Sequence, residues 1–297
     1  MKKSYLTGLI LAMCLVAVLV VAKPDLKQVV EVNPSKRHAT VAIPAHAIEV
    51  APGVFSLGTA IDNGRVVEGY AIIDYKKGFG KPGTTCGNGV CEPGENARKC
   101  PADCSGSEEP DTSSCYGFLA KGAKWKTVEP YIIDPTNTRG LDEIFIEGNF
   151  EANIDKWETA AGADILGYEL VNASVDGADT VTTDGKNEVY FADIESSGAI
   201  GLTIIWGIFS GPPRRRELVE WDQVYDDVDF DWSATEEAGK MDFENIATRE
   251  LGHSVGLGDL YTDECSEVTM YGYAAYGETK KRSLETGDIK GVKELYK

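Results

Sequence analysis

Apolar positions fall into two regimes along this chain. In the first, short β-type runs at residues 40–43, 47–50 and 66–73 are separated by the turn pairs Pro52-Gly53 and Asp62-Asn63-Gly64, which predicts a small all-β region over residues 23–82, either a propeptide or a permanent module. In the second, from residue 131 onward, strand and helix patterns alternate. Tyr131-Ile132-Ile133 predicts a strand closed by Asp134-Pro135, and Ile144, Phe145, Phe150, Ile154 and Trp157 recur at mostly helical spacing over residues 143–161. Residues 188–191, 199–206 and 218–225 read as further strands. A helix capped by Asp242 follows, and a last one over about residues 284–296 sets Ile289, Val292, Leu295 and Tyr296 on one face. The alternation predicts an α/β fold for residues 115–297: a twisted sheet backed by helices.

Between the two regimes the pattern disappears. Residues 83–114 hold Cys86, Cys91, Cys100 and Cys104 among Gly and Pro and are too poor in apolar residues to fold around a core, so this segment needs covalent staples. It ends in a Ser/Glu/Gly-rich linker. Four cysteines permit three pairings, and their spacing does not match a Cys-x-x-Cys metal pair. At the N-terminus, Lys2 and Lys3 precede an apolar run from Leu6 to Val20-Val21-Ala22, the pattern of an export signal over residues 1–22. Secretion or display at the cell surface is the expected location, with membrane association only if that segment is left uncleaved. The six cysteines beyond it, the four above with Cys115 and Cys265, form an even set that favours three disulfides in an exported chain.

Charge narrows the field. With 48 acidic against 29 basic side chains the net charge is -19, which excludes a nucleic-acid binder and fits a soluble monomer or a cation-binding protein. Asp176, Asp179, Asp184, Asn187 and Glu188 cluster oxygen ligands suited to calcium, although without the 12-residue loop of an EF-hand. Pro212-Pro213-Arg214-Arg215-Arg216 reads as an exposed basic loop, and Asn172-Ala173-Ser174 fits a glycosylation sequon. His38 and His46, isolated in the β region, read as surface or packing residues.

The chemistry concentrates in Arg249-Glu250-Leu251-Gly252-His253-Ser254-Val255-Gly256-Leu257-Gly258-Asp259. In the helical pattern H-E-x-x-H, two histidines four apart bind zinc while the Glu between them serves as general base on the bound water. Here Glu250 and His253 keep their positions, and a turn at Gly256 would bring Asp259 back as a third ligand. The first position holds arginine, whose guanidinium has no free lone pair and does not deprotonate in proteins.

Together with Ser266-Glu-Val-Thr-Met270-Tyr-Gly-Tyr273, Leu218-Val-Glu-Trp-Asp222 and Gly198-Ala-Ile-Gly-Leu-Thr203, this motif resembles the matrixin branch of the metzincin zinc endopeptidases, in its secreted prokaryotic, archaeal-type form. The resemblance covers about residues 131–296. It implies a metzincin-like, mostly parallel sheet with an active-site helix and a Met-turn subdomain. It also implies a zinc cofactor, Glu250 as catalytic base, His253 and Asp259 as metal ligands, and Met270 as the methionine beneath the metal. Residues 198–203 would border the cleft, where an extended polypeptide substrate lies along an edge strand. Cys115 and Cys265 are expected to join the start of the domain to the segment before the Met-turn. The departure is Arg249. Two ligands are one fewer than a catalytic zinc normally has, and a fixed positive charge about 4 Å from a dication costs on the order of 4 kcal/mol per unit charge at an effective dielectric near 20. Arg249 is therefore expected to take the metal's electrostatic place by pairing with Glu250 or Asp259. The activity implied is that of a zinc metalloendopeptidase, weak or lost in this chain; the alternative is a pseudoprotease that binds extended polypeptide or a surface partner.

Overall fold

The structure is a computed structural model that describes residues 40–78, 111–170 and 173–297. The expected export signal, Cys86, Cys91, Cys100, Cys104, His38 and Asn172 lie outside the described residues. One sheet organises the rest, with strands in the order β1 (Ile48–Ala51), β2 (Val54–Asp62), β3 (Arg65–Lys76), β6 (Ala199–Ile208), β7 (Glu217–Asp226), β5 (Glu188–Ala192) and β4 (Ile132–Ile133). A short β10 (Tyr273–Ala274) pairs with the end of β3, while β8 (Trp232–Ser233) and β9 (Met241–Asp242) form a separate two-stranded ribbon.

The sheet is mixed. Strands β4, β5 and β7 run parallel as the alternating pattern predicts, and β10 is parallel to β3. The β1–β2, β2–β3, β3–β6 and β6–β7 pairings are antiparallel. Within residues 115–297 the sheet is mostly parallel as expected, with β6 its antiparallel strand; what is corrected is the separate β region expected to precede it, because β1–β3 extend the same sheet. This extension also corrects the cleft-bordering role given to residues 198–203: β6 has β7 on one side and β3 on the other, so it is an interior strand. Of the predicted N-terminal runs, residues 40–43 form only an isolated bridge from Val41 to Ile194, and β2 had gone unpredicted.

Helices cover one face. The sequence places α1 (Glu143–Ala161) as found: Asp142 accepts the Phe145 N–H at 2.8 Å, and Gly162 closes the helix in the left-handed conformation at φ 69°. In α2 (Phe243–Ser254) the cap is Asp242, accepting from Asn245 N at 3.0 Å. A reciprocal capping box of Glu285 and Asp288 opens α3 (Thr286–Tyr296). Ile146, Phe150, Ile154 and Trp157 of α1 and Phe243, Ile246, Ala247 and Leu251 of α2 pack with Val189, Phe191, Ile205, Trp221 and Tyr225 of the sheet into the main core. The opposite face, with Val67, Ala71, Ile73, Leu202, Ile204, Trp206 and Val224, forms a second apolar cluster. Period-two alternation along β7 thus sends Trp221, Gln223 and Tyr225 toward the helices and Glu220, Asp222 and Val224 to the far side. Among the described residues, no helix is long and apolar enough to cross a membrane.

Candidate functional site

Helix α2 fully buries three ionisable side chains, Arg249, Glu250 and His253, alongside the polar Thr248 and Ser254. It is held in place by Trp157, whose indole donates to the Thr248 carbonyl at 2.8 Å, and by Gly252, where a Cβ would collide with the Met270 sulfur and lie 2.9 Å from the Trp157 ring. After the helix, Gly256 turns the chain at φ 103°, with an ideal Cβ position only 3.0 Å from the Ala123 carbonyl, so glycine is required there. That turn returns Asp259 to the helix, as the motif predicts.

Arg249 forms the centre of the site. Its Nη1 lies 2.7 Å from Glu250 Oε1 and 3.2 Å from Asp74 Oδ2, its Nη2 lies 2.5 Å from Asp259 Oδ1, and its Nε donates to the Tyr271 carbonyl at 3.2 Å. The expected pairing with Glu250 or Asp259 is therefore made with both at once. The second Glu250 oxygen accepts from the Thr203 hydroxyl at 2.6 Å, so both oxygens of the candidate base are engaged. The Tyr261 hydroxyl sits 3.0 Å from Asp259 Oδ2 and 2.7 Å from the Pro52 carbonyl, with one proton to serve either acceptor.

His253 Nδ1 meets the Leu257 carbonyl at 3.0 Å, which fixes the ring. Its Nε2 lies 3.3 Å from Asp259 Oδ1 but makes no well-directed hydrogen bond. Burial lowers the imidazole pKa, and the Asp259 carboxylate outweighs that effect, so the net shift is upward. For Asp259, burial raises the pKa, but Arg249 and then His253 pull it down to about 2. Asp74 goes the other way: burial dominates the pull of Arg249 and lifts it to about 7.

Three residues of this centre were not picked out from the sequence. Asp74 comes from β3, where an acid ending an apolar run gives no sign that it reaches a helix motif 175 residues further on. Tyr261 follows the motif by two positions without belonging to any pattern. Asp288, in the first turn of α3, accepts from Thr269 N at 2.9 Å and Met270 N at 3.3 Å, which pins the Met-turn segment. Thr203 lay within a predicted strand but had no role there. Cys115 and Cys265 are joined, as expected of the two cysteines left beyond the stapled segment. His46 packs against the Leu57 carbonyl at 3.1 Å, consistent with a packing role.

Strand β3 lies over this centre. It is antiparallel to β6, with Asp74 opposite Gly201, and parallel to β10 just beyond Met270 at Tyr75 and Lys76. The Cα of Gly201 leaves room for Glu250, whose carboxyl carbon would be 3.4 Å from a Cβ there.

Residues 217–297 match the Matrixin peptidase family model. This matrixin-like stretch holds β7, α2, the turn to Asp259, Met270 and α3, which supports a metallopeptidase ancestry for the helix motif. Asp74 and Thr203 lie outside it. A comparison with curated proteins found no match. The matrixin family is zinc-dependent, but the residues at this centre do not fit the ion. Of the three ligand positions of the motif only two, His253 Nε2 and the Asp259 carboxylate, offer a donor, and Asp259 already faces at 2.5 Å the guanidinium that fills the third and cannot ligate.

Proposed function

We propose that this chain is an exported matrixin-type metallopeptidase scaffold that does not hydrolyse peptide bonds as it stands. The observation carrying this reading is the guanidinium of Arg249 held between Glu250 and Asp259 at 2.7 and 2.5 Å. A general base has to present a free oxygen to the water it deprotonates, and Glu250 has both oxygens bonded. The Cys115–Cys265 disulfide supports an oxidising, extracellular setting, secreted or at the cell surface.

Its second element is the place of β3. A polypeptide extended along β6 needs the backbone edge that β3 covers, so binding of an extended partner requires β3 to leave. That favours a pseudopeptidase over a working protease. Purified protein, washed free of loose metal, is expected to carry well under one zinc per chain and to leave casein uncut with or without chelator. Arg249→His is expected to raise zinc toward one per chain, since His253 and Asp259 already converge there. One tightly held zinc in the unaltered chain, with chelator-sensitive cleavage, would overturn the proposal.

A further inference from the structure

One end of the sheet, about 30 Å along β3 from Asp74 at 3.3 Å per residue, brings together three pieces of chain. The β2–β3 hairpin turns at Asp62-Asn63-Gly64, and the register of β3 on β6, with Glu68 opposite Gly207, carries its tip past the end of β6 to the β6–β7 turn over residues 209–216. The segment over residues 121–126 is bonded to that same turn. Arg216 Nη1 donates to the Lys121 carbonyl at 2.9 Å, and Leu218 N donates to the Lys124 carbonyl at 3.1 Å. Two basic stretches far apart in the chain, Lys121-Gly-Ala-Lys124-Trp-Lys126 and Arg214-Arg215-Arg216, therefore form one patch in a molecule of net charge -19.

The patch keeps its charge. Asp62 and Glu217, the acids flanking these turns, are matched by Arg65, which pairs with both, and by Lys126, 2.5 Å from Glu217. Among the described residues no side-chain carboxylate pairs with Lys121, Arg214, Arg215 or Arg216. Arg216 directs its donors at the Gly211 and Lys121 carbonyls, which orders the turn without neutralising it. Arg214 and Arg215, in the short helical turn Pro213–Arg215, are exposed, as the sequence reading expects. At the hairpin tip stand the cross-strand partners Ile61 and Val66, 63% and 60% exposed, with Arg65 next to Val66. Two large apolar side chains are thus held in water beside a cluster of unpaired cations.

We propose that this end of the sheet docks the protein on an anionic phospholipid surface, with the arginines and lysines against the phosphates and Ile61 and Val66 in the headgroup layer. Lipid phosphates spread negative charge over a plane, which a basic patch on two neighbouring turns meets at several points at once. The same surface receives apolar side chains that a hydrated polyanion would leave in water. Charges more than about 8 Å away are largely screened at physiological salt, so the acids elsewhere on the molecule do not cancel the patch. They do fix the orientation, because only this end is attracted. The docking does not depend on the Arg249 centre, which lies at the other end of β3. Sequence alone marked Arg214 to Arg216 as an exposed basic loop, and only the fold adds the hairpin tip and the lysines to it.

The full chain is mixed with vesicles of phosphatidylcholine, alone or with phosphatidylglycerol at about one third of the lipid, and binding is read by co-sedimentation. Any affinity of the apolar run over residues 6–22 is common to every variant and cancels in the ratios. Arg214→Gln with Arg215→Gln should weaken binding to the anionic vesicles roughly 30-fold, about fivefold per charge, and leave binding to phosphatidylcholine unchanged. Ile61→Ser with Val66→Ser should weaken it roughly tenfold, and by as much at high salt, where the arginine effect shrinks. Lys240→Gln with Lys290→Gln removes the same charge outside the patch and should cost less than about twofold. All these side chains are exposed or half-exposed, so unfolding temperatures should stay those of the unaltered chain. A tryptophan probe locates the contact: anionic vesicles with brominated acyl chains should quench the new emission of Ile61→Trp but not that of Ile144→Trp, on the comparably exposed α1 surface. Undiminished binding by the arginine pair or an equal loss in the Lys240 and Lys290 control would overturn the proposal. So would an Ile61 and Val66 pair without effect, the result expected if the ligand were a hydrated polyanion.

Discussion

Arg249 takes part in four polar contacts without reaching solvent, so its removal does more than delete a charge. Among the described residues, Asp74, Glu250 and Asp259 would then keep only His253, and the Lys281 ammonium acting on Asp74 from beyond ion-pair distance, as counter-charge. Breaking a buried ion pair from one side costs about 3–5 kcal/mol, because the partner charge is left stranded. Arg249→Ala should lose stability of that order in urea unfolding. Arg249→Lys should fall between, since an ammonium cannot span Glu250 and Asp259 with the planar fork that guanidinium offers. Coupling to Asp74 makes the sharper test. If Asp74 and Arg249 act as one unit, adding Asp74→Asn to Arg249→Ala should restore part of the loss, with a non-additivity of about 0.5–3 kcal/mol. Strictly additive costs would mean that the 3.2 Å approach of the two side chains carries no energy.

At the scale of elements, two helical glycines make opposite predictions from the same substitution. Gly252 of α2 lies against Met270 and Trp157, while Gly148 of α1 has nothing within 4 Å of where a Cβ would stand. Alanine raises helix propensity by about 1 kcal/mol over glycine in an exposed turn, so Gly148→Ala should gain up to that amount. Overpacking costs about 1–3 kcal/mol, so Gly252→Ala should lose stability despite the same propensity gain. Thermal unfolding of the pair decides whether the α2 glycine is there for close packing on the Met-turn. The same contrast shows what was legible in the sequence. Local signals, the Asp242 cap, the spacing of α1 and the turn at Gly256, sit within a few residues of what they control, and they place the helices and the Arg249–Asp259 motif. The position of β3 was not legible, because pairing between residues 68–75 and 199–207 is decided by backbone edges that no local pattern records. With it went Asp74, and with the far face of β7 went Glu220.

For the whole molecule, a net charge of -19 combines with carboxylates that folding pushes upward, and together they set how stability depends on pH. Burial, the largest cause in each case, raises Asp74 and Glu188 to about 7, Asp179 to about 6 and Glu220 to about 10. A carboxyl whose folded pKa exceeds its unfolded value binds more protons when folded, so its contribution is complete below the unfolded pKa near 4 and drains away as pH rises through the folded value. Asp259, held near 2, acts in the opposite sense, and its contribution is lost only in strong acid. Between about pH 5 and pH 8 the raised groups therefore dominate, and in chelator the chain should unfold at a higher temperature at about pH 5.5 than at about pH 8. Asp74 contributes to this slope from outside the acidic loop, so Asp74→Asn should reduce it. A chelated protein more stable at about pH 8 would mean that the far-face carboxylates are not held in their protonated form by the fold.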